Sequence, residues 1–196
     1  MSRVRTFVIG LLFLCGSATI ARAQFPGGSG TTSCSRIVCL VVSGGMTLPA
    51  ADLADFHDSG FHYDASLLLN FPGLPITFRP EFSLTQFKLK DPLIPSSGGE
   101  DVTKMFAAMG NIEVAMGGGL YLLGGGGILS LDPADLGTGT GDSETRFTLD
   151  AGAGYRFKLG GIRGFLEARI GAASYDQGTF GYEKAQFIPV TFGLVF

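Results

Sequence analysis

The amino-acid sequence predicts an all-β fold: an eight-stranded antiparallel up-and-down transmembrane barrel with short periplasmic turns and longer extracellular loops. Three observations predict it. Apolar and polar residues alternate through segment after segment, as a wall between lipid and an enclosed lumen requires. Short Gly/Pro breaks take turns along the chain with long polar ones. The chain ends on Phe196, with Ile188, Val190, Phe192 and Leu194 on the same parity, so that its last segment carries one greasy face.

The N-terminal segment fits the same destination. Arg3 and Arg5 precede an apolar run over residues 7–14, and Ala21-Arg22-Ala23 then offers a small-x-small cleavage pattern before Gln24. Residues 1–23 are expected to be a cleaved signal peptide, 24–39 an N-terminal periplasmic segment, and 40–196 the transmembrane barrel. A membrane-spanning helix is a poor reading of the start, because the run falls well short of the ~20 apolar residues a bilayer core demands. Lipidation of Cys15 is not expected either. Leu12, Phe13 and Leu14 stand before it, where processing needs a small residue.

Composition narrows the class. Glycine supplies 31 of the 196 residues, about twice the usual share of roughly 7 %, and it is spread through alternating apolar segments, which argues against disorder and collagen. The formal net charge of −3 leaves no footprint for nucleic acid. Cys34 and Cys39 remain after processing in a compartment that permits disulfides. On a regular strand their odd spacing would send them to opposite faces, so a local disulfide needs a loop here. Two cysteines without a neighbouring histidine do not suggest a metal site, and no cofactor is expected.

The breaks set the topology. Pro72-Gly73-Leu74-Pro75, Gly117-Gly118-Gly119 and Leu159-Gly160-Gly161 read as three hairpin turns on one rim. Residues 50–60, 88–101, 131–145 and 176–185 are richer in Asp, Gly, Ser or Pro and read as four loops on the other. This count gives eight strands with both termini on the periplasmic side.

The strands follow in order. Residues 40–49 and 120–129 are blurred by glycine. In 61–71, Phe61, Tyr63, Ala65, Leu67, Leu69 and Phe71 face one way, and His62, Asp64, Ser66 and Asn70 the other. Residues 76–87 set Ile76, Phe78, Phe82 and Leu84 against Thr77, Arg79, Glu81, Ser83 and Thr85. Residues 103–116 set Ile112, Val114 and Met116 against Asn111 and Glu113, and 164–173 set Leu166, Ala168 and Ile170 against Glu167 and Arg169. Residues 146–157 alternate Phe147, Leu149, Ala151, Ala153, Tyr155 and Phe157 with Arg146, Thr148, Asp150 and Arg156.

Parity alone does not say which face is inside, since a soluble lipocalin-type barrel alternates with the faces reversed. The charges decide it. Arg79, Glu81, Glu113, Asp150, Arg156, Glu167 and Arg169 are nearly balanced in sign, as an interior network requires, whereas a soluble surface carries more charge and more lysine. An eight-stranded barrel is just wide enough for side chains to fill it, so a plugged lumen is expected. Pro80 and Pro189 fall inside strands of a barrel with no free edge, and a bulge is expected near each. Tryptophan is absent, so an interfacial girdle must come from residues such as Phe61, Tyr63, Phe71, Phe78, Tyr121, Tyr155 and Phe157.

With the signal sequence, eight alternating segments and terminal Phe, the chain resembles the small bacterial outer-membrane β-barrels of the OmpA/OmpX type. Gly60-Phe61-His62, the turn Phe71-Pro72-Gly73-Leu74-Pro75, Gly164-Phe165-Leu166-Glu167-Ala168-Arg169 and Phe187-Ile188-Pro189-Val190-Thr191-Phe192-Gly193 carry the resemblance to barrels of this kind known only by fold. It implies a bacterial outer-membrane location, contact with outer-membrane lipid and lipopolysaccharide, and insertion by the barrel-assembly machinery, for which Ile188, Val190, Phe192, Leu194 and Phe196 would be the signal. It implies little about activity, since the fold hosts adhesins, lipid-modifying enzymes and plain anchors.

A structural or surface-interaction role in a monomer is the expectation. A lipid A-modifying enzyme is the alternative, for which His62, Asp64 and Ser66 at i, i+2, i+4 on one strand face could form a triad. The same pattern describes any polar strand near a rim. A narrow channel for small solutes is the third option. Asp52, Asp55 and Asp58 in the first loop and Asp132, Asp135, Asp142 and Glu144 in the third make the outer rim acidic. They lack the ordered spacing of a calcium loop. The glycine runs 117–119 and 124–127 lack the Lys-Ser/Thr ending of a phosphate cradle, and close strand packing at a turn accounts for them.

Overall fold

Alternation becomes a wall when the strands close on one another. The computed structural model describes residues 37–71, 73–90, 102–132, 143–174 and 184–196. Eight strands form the barrel: β1 (Val38–Ala50), β2 (Gly60–Asn70), β3 (Ile76–Lys88), β4 (Val102–Gly117), β5 (Leu120–Asp132), β6 (Glu144–Leu159), β7 (Ile162–Ser174) and β8 (Lys184–Val195). Each pairs antiparallel with its sequence neighbours, and β8 closes on β1. Closure runs to the last residue, where Phe196 N donates to the Leu40 carbonyl (2.9 Å) and Leu40 N to the Phe196 carbonyl (3.2 Å). β1 begins at Val38, so Val38 and Cys39 belong to the wall rather than to a preceding segment. Cys39 is disulfide-bonded; Cys34 lies outside the described residues.

The short turns lie where the glycine and proline breaks placed them. Gly117, Gly118 and Gly119 have φ of 92°, 63° and 93°, a left-handed path that side chains rarely tolerate, and the β4–β5 register shifts between Ala115 and Gly117. The run 124–127 is different. It is not at a turn but in the middle of β5, opposite Asn111, Gly110 and Met109. Neither proline makes a bulge. The β3–β4 register continues unbroken through Pro80 opposite Gly110, and the β8–β1 register through Pro189 opposite Thr47. On the other side each ladder skips two pairs and resumes in the same register. A proline whose missing N–H faces only one neighbour costs a rung there without inserting a residue.

Through the middle of the strands every second residue faces outward, and the large side chains there are apolar. Leu40, Val42, Phe61, Tyr63, Phe82, Phe106, Ile112, Leu122, Phe147, Leu149, Leu166, Ile170 and Phe192 are all exposed. The blurred segments resolve too, with Leu40, Val42, Met46 and Leu48 outward on β1 and Leu120, Leu122 and Ile128 outward on β5. An apolar surface that encircles the barrel needs hydrocarbon around it. Tyr121 does not join the aromatic girdle: it is 1 % exposed and points into the lumen, because Leu120 and Leu122 take the outward parity of β5. Glycines on neighbouring strands make room for the rings inside, Tyr121 lying over Gly154, Phe165 over Gly193 and Phe187 over Gly171.

Two apolar layers sit inside the barrel, at its two ends. Cys39, Val41, Leu68, Phe165 and Val195 pack together near the turn rim. Near the loop rim, Phe87, Met105, Leu129, Leu131, Ala173 and Ala185 surround Leu53. Leu53 comes from a single turn of helix, α1 (Leu53–Phe56), in a region where the sequence suggested only an acidic loop. Ala51, with φ of 49°, turns the chain off the end of β1, and α1 then lays Leu53 across the mouth.

Candidate functional site

The polar lumen between those layers is built from inward positions of all eight strands. Arg79 of β3 is buried and reaches three carboxylates: Glu81 (2.6 Å), Glu113 of β4 (3.0 Å) and Glu167 of β7 (2.9 Å). Arg169 of β7 holds Glu81 with two nitrogens (2.6 and 2.8 Å), Glu167 through Nε (2.5 Å) and Asp150 of β6 (3.1 Å). Arg156 of β6 pairs with Glu113. The seven charged residues singled out from the sequence thus touch one another in a single cluster. Removed from water, such charges are tolerated only when each has close partners.

Uncharged neighbours complete the cluster. The Tyr121 hydroxyl donates to Glu167 Oε2 (2.6 Å), and the Arg156 guanidinium lies 4.1 Å from the centre of the Tyr121 ring. Arg79 stacks over Phe165 at 5.4 Å, joining the charged layer to the apolar layer beneath it. Sequence reasoning missed both aromatic rings, although the outward parity of Leu120 and Leu122, and of Leu166, would have turned Tyr121 and Phe165 inward.

His62, Asp64 and Ser66 share the inward face of β2, as their spacing suggested, but they do not form a nucleophile–base pair. His62 Nδ1 shares a hydrogen bond with Thr47 Oγ1 (2.8 Å) and Nε2 with Thr191 Oγ1 (2.9 Å), so both ring nitrogens are engaged. Asp64 lies 3.5 Å from His62 Nε2 and accepts from Ser43 Oγ (3.2 Å). Ser66 Oγ is buried with no hydrogen-bond partner among the described residues. All three side chains lie inside the barrel, away from the lipid-facing surface.

At the mouth, His57 follows α1 and pairs with Leu89. Its Nε2 shares a hydrogen bond with Thr103 Oγ1 (2.9 Å), its ring packs on Phe87, and its Nδ1 has no hydrogen-bond partner among the described residues. Burial holds its pKa below the ordinary value, against the opposing pull of the Leu53 backbone and Asp58. Lys90 Nζ donates to the Ala54 carbonyl (2.5 Å), fastening α1 from the side. Asp52, Asp55 and Asp58 are exposed on the outside of this loop, and Asp132 is exposed at the end of β5. Glu144 pairs with Arg146. Asp135 and Asp142 lie outside the described residues, and among those described no three His, Cys, Asp or Glu side chains converge as a metal centre.

Comparison with solved structures decides the architecture. Neisserial surface protein A is similar with a TM-score of 0.57 at 12 % identity, over 82 % of this chain and 96 % of that one. The fold is that of the small outer-membrane β-barrels of OmpA/OmpX type. Ail, the attachment invasion locus protein of Yersinia pestis, is similar in its crystal structure with the heparin analogue sucrose octasulfate, at a TM-score of 0.53 and 13 % identity over 81 % of this chain and 97 % of that one. Ail in a phospholipid bilayer nanodisc gives 0.51 at 13 % identity, covering 82 % of this chain and 100 % of the other. No protein-family model and no curated protein matches the sequence. In this outer-membrane fold the exposed belt of Phe, Leu, Ile and Val is the lipid-facing surface, and the charged cluster lies at the depth of that belt.

Proposed function

We propose that the protein is an integral outer-membrane barrel with a structural or surface-interaction role and a closed lumen. The observation that carries this reading is the layered interior: an apolar layer at each end and a cross-linked charge cluster between them, enclosed by a wall that is apolar outside. Such a lumen has no continuous aqueous path. It locks the strands together and leaves the loop rim as the surface for contact with other molecules. The loops over residues 50–60 and 131–145 are that surface, with Asp52, Asp55 and Asp58 as its exposed charges. The names of the similar proteins, a surface protein and an attachment protein, support this at the level of fold.

The turn rim and both ends of the barrel face the periplasm in this reading. The outward face of Ile188, Val190, Phe192, Leu194 and Phe196 is the segment read by the barrel-assembly machinery. The lipid-modifying alternative finds no support in the site: a lipid substrate outside the wall does not meet His62, whose nitrogens are occupied by Thr47 and Thr191. The chain refolded in detergent should migrate as a fast band that slows on boiling, and deletions in the 50–60 loop should change cell-surface attachment without changing that shift. Altered lipid A in cells that carry His62→Ala in place of the wild-type chain would overturn the non-enzymatic reading.

A further inference from the structure

The charges of the middle layer do not balance. Three guanidiniums, Arg79, Arg156 and Arg169, face five buried carboxylates, Asp64, Glu81, Glu113, Asp150 and Glu167. Two negative charges are left over in a space bounded by apolar layers and by a lipid-facing wall, where an uncompensated charge is costly. Glu81, Glu113 and Glu167 each contact two guanidiniums. The excess therefore falls on Asp64, which among the described residues meets Ser43 and His62, and on Asp150, which among them is held by Arg169 through Oδ2.

These two carboxylates line one cavity of about 40 Å³, between the charged cluster and the apolar layer at the loop rim. The side chain of Asp150 is 7 % exposed, and its Oδ1 has no hydrogen-bond partner among the described residues. The hydroxyl residues Ser83, Thr85, Thr148 and Thr191 line the same space, together with His62, Glu81 and Arg169, whose guanidinium is already paired with Glu81, Glu167 and Asp150. Oxygen donors of mixed kind around two carboxylates suit a hard cation. The volume leaves room for one ion and one or two waters. A divalent ion wants six to eight well-placed oxygen ligands, and among the described residues no trio of acidic or histidine side chains converges here. We infer that the cavity between Asp64 and Asp150 binds a single alkali cation, Na⁺ or K⁺, enclosed when the barrel closes.

This inference goes beyond the proposed surface role and does not depend on it, since a lumen ion stabilises the barrel whatever its loops contact. The test is thermal unfolding of the refolded chain in zwitterionic micelles, in NaCl, KCl or choline chloride at one pH and one ionic strength. An alkali salt should raise the midpoint by several degrees over choline, saturably, and Asp64→Asn/Asp150→Asn should lose that difference while Asp55→Asn keeps it. Equal midpoints in all three salts would overturn the proposal, as would an alkali effect that survives in the double variant. If the double variant does not fold, crystals of the wild-type chain grown with Rb⁺ give the answer. Anomalous density between Asp64 and Asp150 supports the site, and its absence refutes it. Equal midpoints in all salts that shift together with pH would assign the missing positive charge to protons and reject the ion.

Discussion

The middle of the lumen and its mouth at the loop rim are both packed with buried side chains, yet they are held in different ways. In the middle, the charged groups are joined by partners from strands across the lumen: Arg79 with Glu167, and Arg169 with Glu81, are each 88 residues apart. At the mouth, Leu53 rests against Phe87, Met105, Leu129 and Leu131 by contact alone, on a single helical turn fastened by Lys90. The first arrangement is all-or-none, because removing one partner strands the others. The second can loosen locally, because apolar contacts fail one at a time and undocking α1 breaks the short His57–Leu89 bridge while the ladders between the eight strands stay intact. The barrel is stitched through its centre, and α1 packs on the apolar layer at its loop rim.

The largest effect should come from breaking the centre. Arg79→Met would leave Glu81, Glu113 and Glu167 short of a counter-charge and cost roughly 3–5 kcal/mol, read as a lower urea midpoint for unfolding from lipid vesicles. Adding Glu167→Gln should recover part of that loss, which a set of independent contacts would not allow. Moving the same charge to the outside sharpens the contrast. Phe82→Arg, midway along β3 on the exposed face, should cost about 2–4 kcal/mol in a bilayer and much less in micelles, where a headgroup is always near.

At the mouth, Leu53→Ala should weaken the docking of α1 by about 2 kcal/mol. Hydrogen exchange would show faster amides at residues 53–57 while the strand amides stay protected. The smallest effect should follow pH. His57 is buried with its pKa lowered from 6.5, so the unfolded or undocked state binds the proton more readily. Docking is then fully stable above pH 6.5 and weakens as pH falls from there toward the folded-state pKa. Exchange at residues 53–57 measured from pH 7.5 downward, corrected for intrinsic rates, should show this loss, and His57→Gln should flatten it.

These contrasts also explain what could be read from the sequence. The wall of β2, β3, β6 and β7 was legible because a lipid face and a charged lumen give the clearest possible alternation; His62, Arg79, Asp150 and Glu167 all turn inward as their parity requires. The apolar ends of the lumen were not legible. Val41, Leu68, Phe87, Leu129 and Phe165 are apolar yet inward; parity puts Leu68, Phe87 and Phe165 on that face, but an apolar side chain there breaks the apolar-out, polar-in rule by which the faces are read. Tyr121 was misplaced because glycine at 124–127 removes the side chains that would have fixed the phase of β5. α1 escaped notice because four residues are too few to show a helical period. The charged residues of the central cluster were visible as candidates, but their connections were not, since those depend on which strands meet across the lumen. The same limit applied to His62, Asp64 and Ser66: their common face was visible, and the threonines of β1 and β8 that occupy the histidine were not.

Single-channel recording on the wild-type chain in planar bilayers tests the central claim, a lumen without a continuous water path, most directly. The layered packing predicts a flat trace across the accessible voltage range, with no unitary steps at high salt. Regular ohmic steps from the wild-type barrel would show a continuous water path through the charge cluster, and would contradict the account.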